Sequence, residues 1–109
     1  MSESDAVGEE PCPPPPEFVG ARVREMRIVN RKGLHARATA KFVQCVEKFD
    51  AEIKVTRCGE TVGGDSIMGI LTLGAGLGST ISVAARGQQA SEALEALADL
   101  VADRFGEDE

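Results

Sequence analysis

One histidine stands in the whole chain, and its neighbours make it a candidate for chemistry. His35 lies in Gly33-Leu34-His35-Ala36-Arg37, with a glycine turn before it and an arginine two residues after it. A helical apolar pattern begins at the same point, so the ring sits at a helix start. The first turn of a helix has backbone N–H groups without intrahelical acceptors and carries the positive end of the helix dipole. Such a position holds an anion, phosphate above all. An imidazole at its ordinary pKa of about 6.5 is mostly neutral at neutral pH and offers a nucleophilic ring nitrogen. Arg37 offers paired N–H contacts that a lysine cannot copy. These residues suit a site that takes up a phosphoryl group and hands it on. The same pattern also suits a capping or surface histidine.

Charge gathers around this motif. Arg22, Arg24, Arg27, Arg31, Lys32, Arg37 and Lys41 are opposed locally by Glu25 alone, while the far end carries Glu92, Glu95, Asp99, Asp103, Glu107, Asp108 and Glu109. A basic patch steers acidic partners toward a site; it is also compatible with a solvated face that meets nothing. The formal net charge of −6 conceals this arrangement. Five of the 18 acids fall in residues 1–20, so the remainder carries 13 acids against 12 bases.

Residues 1–20 hold Pro11, Cys12, the run Pro13 to Pro16 and no Lys or Arg. That composition is expected to form a disordered or polyproline tail. Residues 21–109 are then long enough for a single modest domain. Cys12, Cys45 and Cys58 are three in number and widely spaced, which argues against a disulfide framework or a zinc site. They are expected to be reduced thiols of a cytoplasmic protein. No apolar run is long enough to span a membrane, and the acidic, proline-rich start is unlike a signal peptide.

Several elements are needed to position His35. Residues 22–29 are expected as a strand, and Ala36, Ala40, Val43 and Val46, joined by Phe42 and Phe49, recur at helical spacing to about residue 49. Residues 52–57 alternate, turn at Cys58-Gly59 and return over 60–62. Asp65 or Ser66 is placed to cap a short helix over 67–73, which Gly74, Gly76 and Gly78 end. Residues 80–85 form a strand, and a helix with Ala90, Ala93, Leu94, Leu97, Leu100 and Val101 on one face follows, with Phe105 closing its stripe. The order is βαββαβα, an α+β open-faced sandwich: a four-stranded, mostly antiparallel sheet with three helices on one face.

Two motifs carry a family resemblance. Asn30-Arg31-Lys32-Gly33-Leu34-His35-Ala36-Arg37 with Lys41-Phe42-Val43, then Asp65-Ser66-Ile67-Met68-Gly69 with Leu71 and Leu73, resemble the histidine-containing phosphocarrier protein HPr of the bacterial phosphotransferase system. The likeness runs from about residue 22 to 105 and leaves the tail outside. It implies a phosphoryl-relay carrier rather than a free-standing enzyme, acting in sugar uptake or in nitrogen and carbon regulation. His35 would receive the phosphoryl group from phospho-Enzyme I, ultimately from phosphoenolpyruvate, and pass it to a histidine of an Enzyme IIA protein. Arg37 falls on the family's phosphate-binding arginine. Ser66 falls on the serine modified by HPr kinase/phosphorylase, and Ile67, Met68 and Leu71 on the docking surface. The resemblance implies no cofactor, no metal and a monomer. The run Phe49 to Ile53 and the close at Phe105-Gly106-Glu107 look more like the nitrogen-related branch.

The chain departs from the family pattern at Ala38, where a proline is usual, and at Asp65, an acid beside the regulatory serine. Alanine suits a helix interior. Asp65 places like charge beside any phosphate on Ser66. Two other classes compete. A binding-only regulator of the same fold would act through Ser66 and docking, but such members lack the histidine. A nucleic-acid-binding module would use the arginines, but the chain has no Trp or Tyr for stacking and is near neutral outside the tail.

Overall fold

The structure, a computed structural model, describes residues 12–109. Four strands form one sheet in the order β1-β4-β2-β3, with β1 at Arg22–Arg27, β2 at Glu52–Arg57, β3 at Glu60–Gly63 and β4 at Thr80–Arg86. All three pairings are antiparallel. The helices are α1 (Ala36–Val46), α2 (Ile67–Thr72) and α3 (Ala90–Ala102), followed by a 3-10 turn at Arg104–Gly106. The architecture is the open-faced α+β sandwich expected from the pattern.

Period-2 alternation decides which face is covered. Ile53 and Val55 of β2 and Ile81, Val83 and Ala85 of β4 are buried, and the residues between them point to the opposite face. The helices lay Ala38, Phe42, Val43, Ala93, Leu94, Leu97 and Val101 over that apolar layer. β1 ends at Arg27 by its hydrogen-bonded pairing, yet Ile28 is fully buried and its N–H donates to the Ser79 carbonyl at 2.8 Å. Helix α1 stops at Val46, short of Phe49, which packs beside the core from a turn.

One expectation is overturned near the N-terminus, where the described part of the expected tail is seen against the sheet. Pro15, Pro16 and Phe18 line a cleft of about 370 Å³ against Val23, Lys54, Thr56, Thr61, Ser82 and Ala84 on the sheet's open face. Phe18 has the Lys54 Nζ 4.5 Å and the Arg86 Cζ 4.1 Å from its ring centroid. Cys12 and Cys58 are not reduced thiols but are joined in a disulfide. Composition sees neither effect. A cation–aromatic contact and a covalent tie offset the ordering cost, and a proline run has less conformational freedom to lose. Cys45 is a free thiol whose pKa burial pushes up, opposed by the Lys48 charge. The rest of the expected tail, residues 1–11, lies outside the described residues.

Candidate functional site

The turn before His35 requires glycine. Gly33 has φ 68°, and a Cβ there would sit 2.5 Å from the Ala75 carbonyl oxygen. This close approach lets the Leu34 N–H donate to the same carbonyl at 2.9 Å and buries the Leu34 side chain. His35 follows as the N-cap residue of α1 in extended conformation, and its carbonyl accepts the first helical hydrogen bond from Thr39 at 2.8 Å. Thr39 Oγ1 donates back to the Leu34 carbonyl at 3.1 Å. Ala38, standing where the family has proline, is fully buried. The imidazole is therefore flanked on both sides by anchored backbone, yet its side chain keeps 27% exposure.

The ring is held from the far end of the chain. Its Nε2 lies 2.5 Å from Glu107 Oε2. Glu107 arrives there through a tight turn: Arg104, Phe105 and Gly106 all have positive φ, at 57°, 56° and 77°. Left-handed backbone at two consecutive non-glycine residues is costly and persists only where surrounding contacts enforce it. Here Phe105 is fully buried, and Lys41 Nζ of α1 donates to its carbonyl at 2.6 Å. Asn30, also fully buried, donates through Nδ2 to the Gly33 carbonyl at 2.8 Å and to Glu107 Oε1 at 3.0 Å. One side chain thus joins the glycine turn to the carboxylate that grips the ring.

The hydrogen bond with the His35 ring, above all, holds the Glu107 carboxyl below the usual carboxylate range; the Asn30 amide and the charges of His35 and Lys32 add to it, against the opposing effect of desolvation. Glu107 is accordingly ionised at neutral pH and can only accept. Nε2 is therefore the donor in that contact, and Nδ1 is the ring nitrogen that Glu107 does not engage.

An open cleft of about 570 Å³ is lined by Arg31, Lys32, His35, Ala36, Arg37, Glu107, Asp108 and Glu109. Arg37 is exposed and makes no ion pair among the described residues, whereas Arg31 pairs with Glu109 at 2.6 Å. The basic cluster therefore divides. Arg31, Lys32 and Arg37 line the cleft with His35, matched there by Glu107, Asp108 and Glu109; Arg22, Arg24 and Arg27 lie along β1 outside the cleft lining, and Lys41 braces the C-terminal turn. Glu107 and Asn30 were not evident from the sequence as site residues. Their signal was present only as an acid after a glycine and a polar residue at the end of an apolar run.

Ser66 is the N-cap of α2, its Oγ accepting from the Gly69 N–H at 3.0 Å. Asp65 does not supply this cap. Ile67 is 43% exposed and Met68 71%, while Leu71 is half-buried and Ile70 fully buried. Leu77, 62% exposed in the loop after α2, adds an apolar side chain that the motif did not reveal. Helix α2 packs on α1, and the loop after α2 meets the turn before His35 where the Ala75 carbonyl accepts from the Leu34 N–H.

An open-faced sandwich with a single histidine at a helix start, in a cleft lined by three bases and three acids, defines a narrow class of protein. Residues 23–103 match the family described as the PTS HPr component phosphorylation site. The chain is 45% identical over 86 residues to the phosphocarrier protein HPr of Cupriavidus necator, covering 79% of this chain and 97% of that one. It is 39% identical to the phosphocarrier protein NPr of Shewanella violacea, covering 77% and 92%. The crystal structure of HPr-C-His from Thermoanaerobacter tengcongensis superposes with a TM-score of 0.78 at 40% identity, covering 81% of this chain and 99% of that one. The chain belongs to the HPr phosphocarrier family of the phosphotransferase system.

Proposed function

We propose that His35 is the residue that carries the phosphoryl group, accepting it at Nδ1 from phospho-Enzyme I and yielding it to a histidine of an Enzyme IIA protein. The observation that carries this reading is the contact between His35 Nε2 and Glu107 Oε2, which leaves Nδ1 as the ring nitrogen free of that carboxylate in a cleft lined also by Arg37. In the transfer, the Nδ1 lone pair forms a bond to phosphorus while the bond from phosphorus to the donor's ring nitrogen breaks, its electron pair returning to the donor. The His35 ring gains positive charge in that step, and the Glu107 carboxylate facing Nε2–H stabilises it. Arg37 and the N–H groups at the start of α1 meet the phosphoryl oxygens. The reverse sequence delivers the group to the acceptor. Loose phosphoryl-transfer transition states need positioning and charge compensation more than covalent help, which this site supplies.

Ile67, Met68 and Leu71 are the proposed docking surface for both partners, and Ser66 the proposed regulatory site for HPr kinase/phosphorylase. A phosphate on Ser66 would stay at the N-terminus of α2, where a helix tolerates it, so its effect would fall on docking. Likeness to relatives named HPr and to one named NPr supports a role in sugar uptake or in nitrogen regulation.

The direct test incubates the protein with Enzyme I and labelled phosphoenolpyruvate. The unaltered chain takes up acid-labile label and H35A takes up none; full labelling of H35A refutes the assignment. Incubation with ATP and HPr kinase/phosphorylase, read by intact mass, tests Ser66 against S66A.

A further inference from the structure

The disulfide and the segment it fastens lie outside the lining of the His35 cleft. Cys12 and Cys58 are bonded to each other across 46 positions of sequence, and both residues are exposed. Cys58 stands at φ 44° in the tight β2–β3 turn, with Pro13 lying against the neighbouring Gly59. From there the segment runs over the open face of the sheet. At its other end the ring of Phe18 rests against Lys54 and Arg86, and Arg86 Nη1 donates to the Val19 carbonyl at 3.1 Å. Beneath it, Thr56 is only 7% exposed although it points away from the helices, and its hydroxyl is hydrogen-bonded to that of Thr61 at 2.7 Å. The segment is a strap with one covalent and one non-covalent fastening.

The non-covalent end is weak by itself. Exposed cation–π contacts contribute little, and the strap buries one large apolar side chain, Phe18, only partly. The covalent end is open to solvent, so a thiol reagent reaches it without unfolding the domain, and exposed disulfides are the labile ones. We infer that Cys12–Cys58 is a thiol–disulfide site that switches residues 12–20 between a strap closed over the open face of the sheet and a released segment. The co-reactant is a dithiol. Its thiolate attacks one sulfur of the pair, the S–S bond breaks, and one cysteine leaves as thiolate. The second thiol of the reductant then attacks the mixed disulfide, releasing the other cysteine and forming the reductant's own disulfide. Two electrons and two protons pass to Cys12 and Cys58.

Release uncovers a sheet face that shares no lining residue with the His35 cleft, so the state of the strap is read by protection of that face rather than by phosphoryl uptake. The test uses the full chain in oxidised form and after treatment with dithiothreitol. Peptide mapping of the oxidised chain yields a linked fragment containing Cys12 and Cys58, and reduction adds two hydrogens to the intact mass. Chymotrypsin cuts after Phe18 about tenfold faster in the reduced chain, an effect of local opening. C12S cuts at the fast rate under both conditions, while C45S still responds to dithiothreitol. Absence of the linked peptide, or equal cleavage at Phe18 in the oxidised and reduced chains, overturns the inference. The readout is independent of Enzyme I, so a failure of the His35 assignment leaves this result standing.

Discussion

Asn30 and Glu107, 77 residues apart in sequence, meet through a 3.0 Å hydrogen bond from the Asn30 amide to the Glu107 carboxylate. The same amide nitrogen donates to the Gly33 carbonyl, so the loop that presents His35 and the C-terminal segment that grips its ring share one buried anchor. Ring orientation is thereby tied to the packing of the chain end.

Glu107 is a positioning residue for the His35 ring. E107Q retains the shape but loses the carboxylate charge and allows the amide to present N–H to Nε2. The expected outcome is about a tenfold slower uptake of label from phospho-Enzyme I, equivalent to about 1.4 kcal/mol of activation free energy. A merely structural role would leave the ring tautomer unchanged, so ¹⁵N NMR of the histidine in E107Q is the discriminating measurement: the variant loses the preference for the Nε2–H form.

Arg37 is expected to act on the transferring group rather than on docking. R37A should slow transfer by roughly 10- to 100-fold, the scale of removing one charge-stabilising donor, while affinity for Enzyme I stays within about threefold, a change of about 0.7 kcal/mol. R37K should recover only part of the rate, because an ammonium cannot make the paired planar contacts. Single-turnover kinetics with a titration of Enzyme I separates the two effects.

The Glu107 contact brings a pH dependence of defined sign. Its folded-state pKa is depressed, first by the hydrogen bond with the His35 ring. The contribution is therefore complete above the ordinary carboxylate range and is lost as pH falls through the lowered folded-state value. Thermal midpoints measured from neutral pH down into the acid range should fall more steeply for the unaltered chain than for E107Q. Parallel curves would contradict the assignment.

Gly33 is expected to tolerate no side chain. G33A meets the Ala75 carbonyl at 2.5 Å and requires φ 68° of an L residue. Displacing that loop should cost roughly 1–3 kcal/mol. Urea denaturation followed by circular dichroism checks the loss, which should exceed that of G76A, where an added Cβ meets no atom within 4 Å.

Ser66 combines a structural and a proposed regulatory role. S66A should cost about 1 kcal/mol through loss of the cap on Gly69 N–H, without changing acid-labile labelling at His35. M68E, on a side chain that is 71% exposed, should leave stability within about 0.5 kcal/mol and weaken Enzyme I binding. Calorimetric titration with Enzyme I distinguishes these outcomes.

The order of elements and the two motifs were legible because local rules suffice for them. Alternation in residues 52–57 and 80–85, and the 3.6-residue stripe of α3, each state their buried face directly. Gly33 announces a turn through residue type alone, and Asp65-Ser66 a helix cap, which the structure assigns to Ser66. His35 and Arg37 could be placed at the start of α1 without knowledge of anything distant.

The partner of the ring was beyond such rules. Glu107 reaches His35 because two ordinary residues, Arg104 and Phe105, take left-handed backbone under the pull of a buried aromatic ring and a lysine 64 positions earlier. No local propensity signals that turn. The strap was hidden for a related reason: proline-rich acidic composition describes what residues 12–20 cannot do alone, not what a cysteine in a distant hairpin and two cations on an open sheet allow. By itself, the sequence determined the elements and set His35 and Arg37 together at the start of α1, since these depend on neighbours within a few residues. Only the tertiary structure decided which ring nitrogen faces Glu107 and which sheet face is covered, because both depend on contacts between residues tens of positions apart whose strength comes from exclusion of water and converging hydrogen bonds.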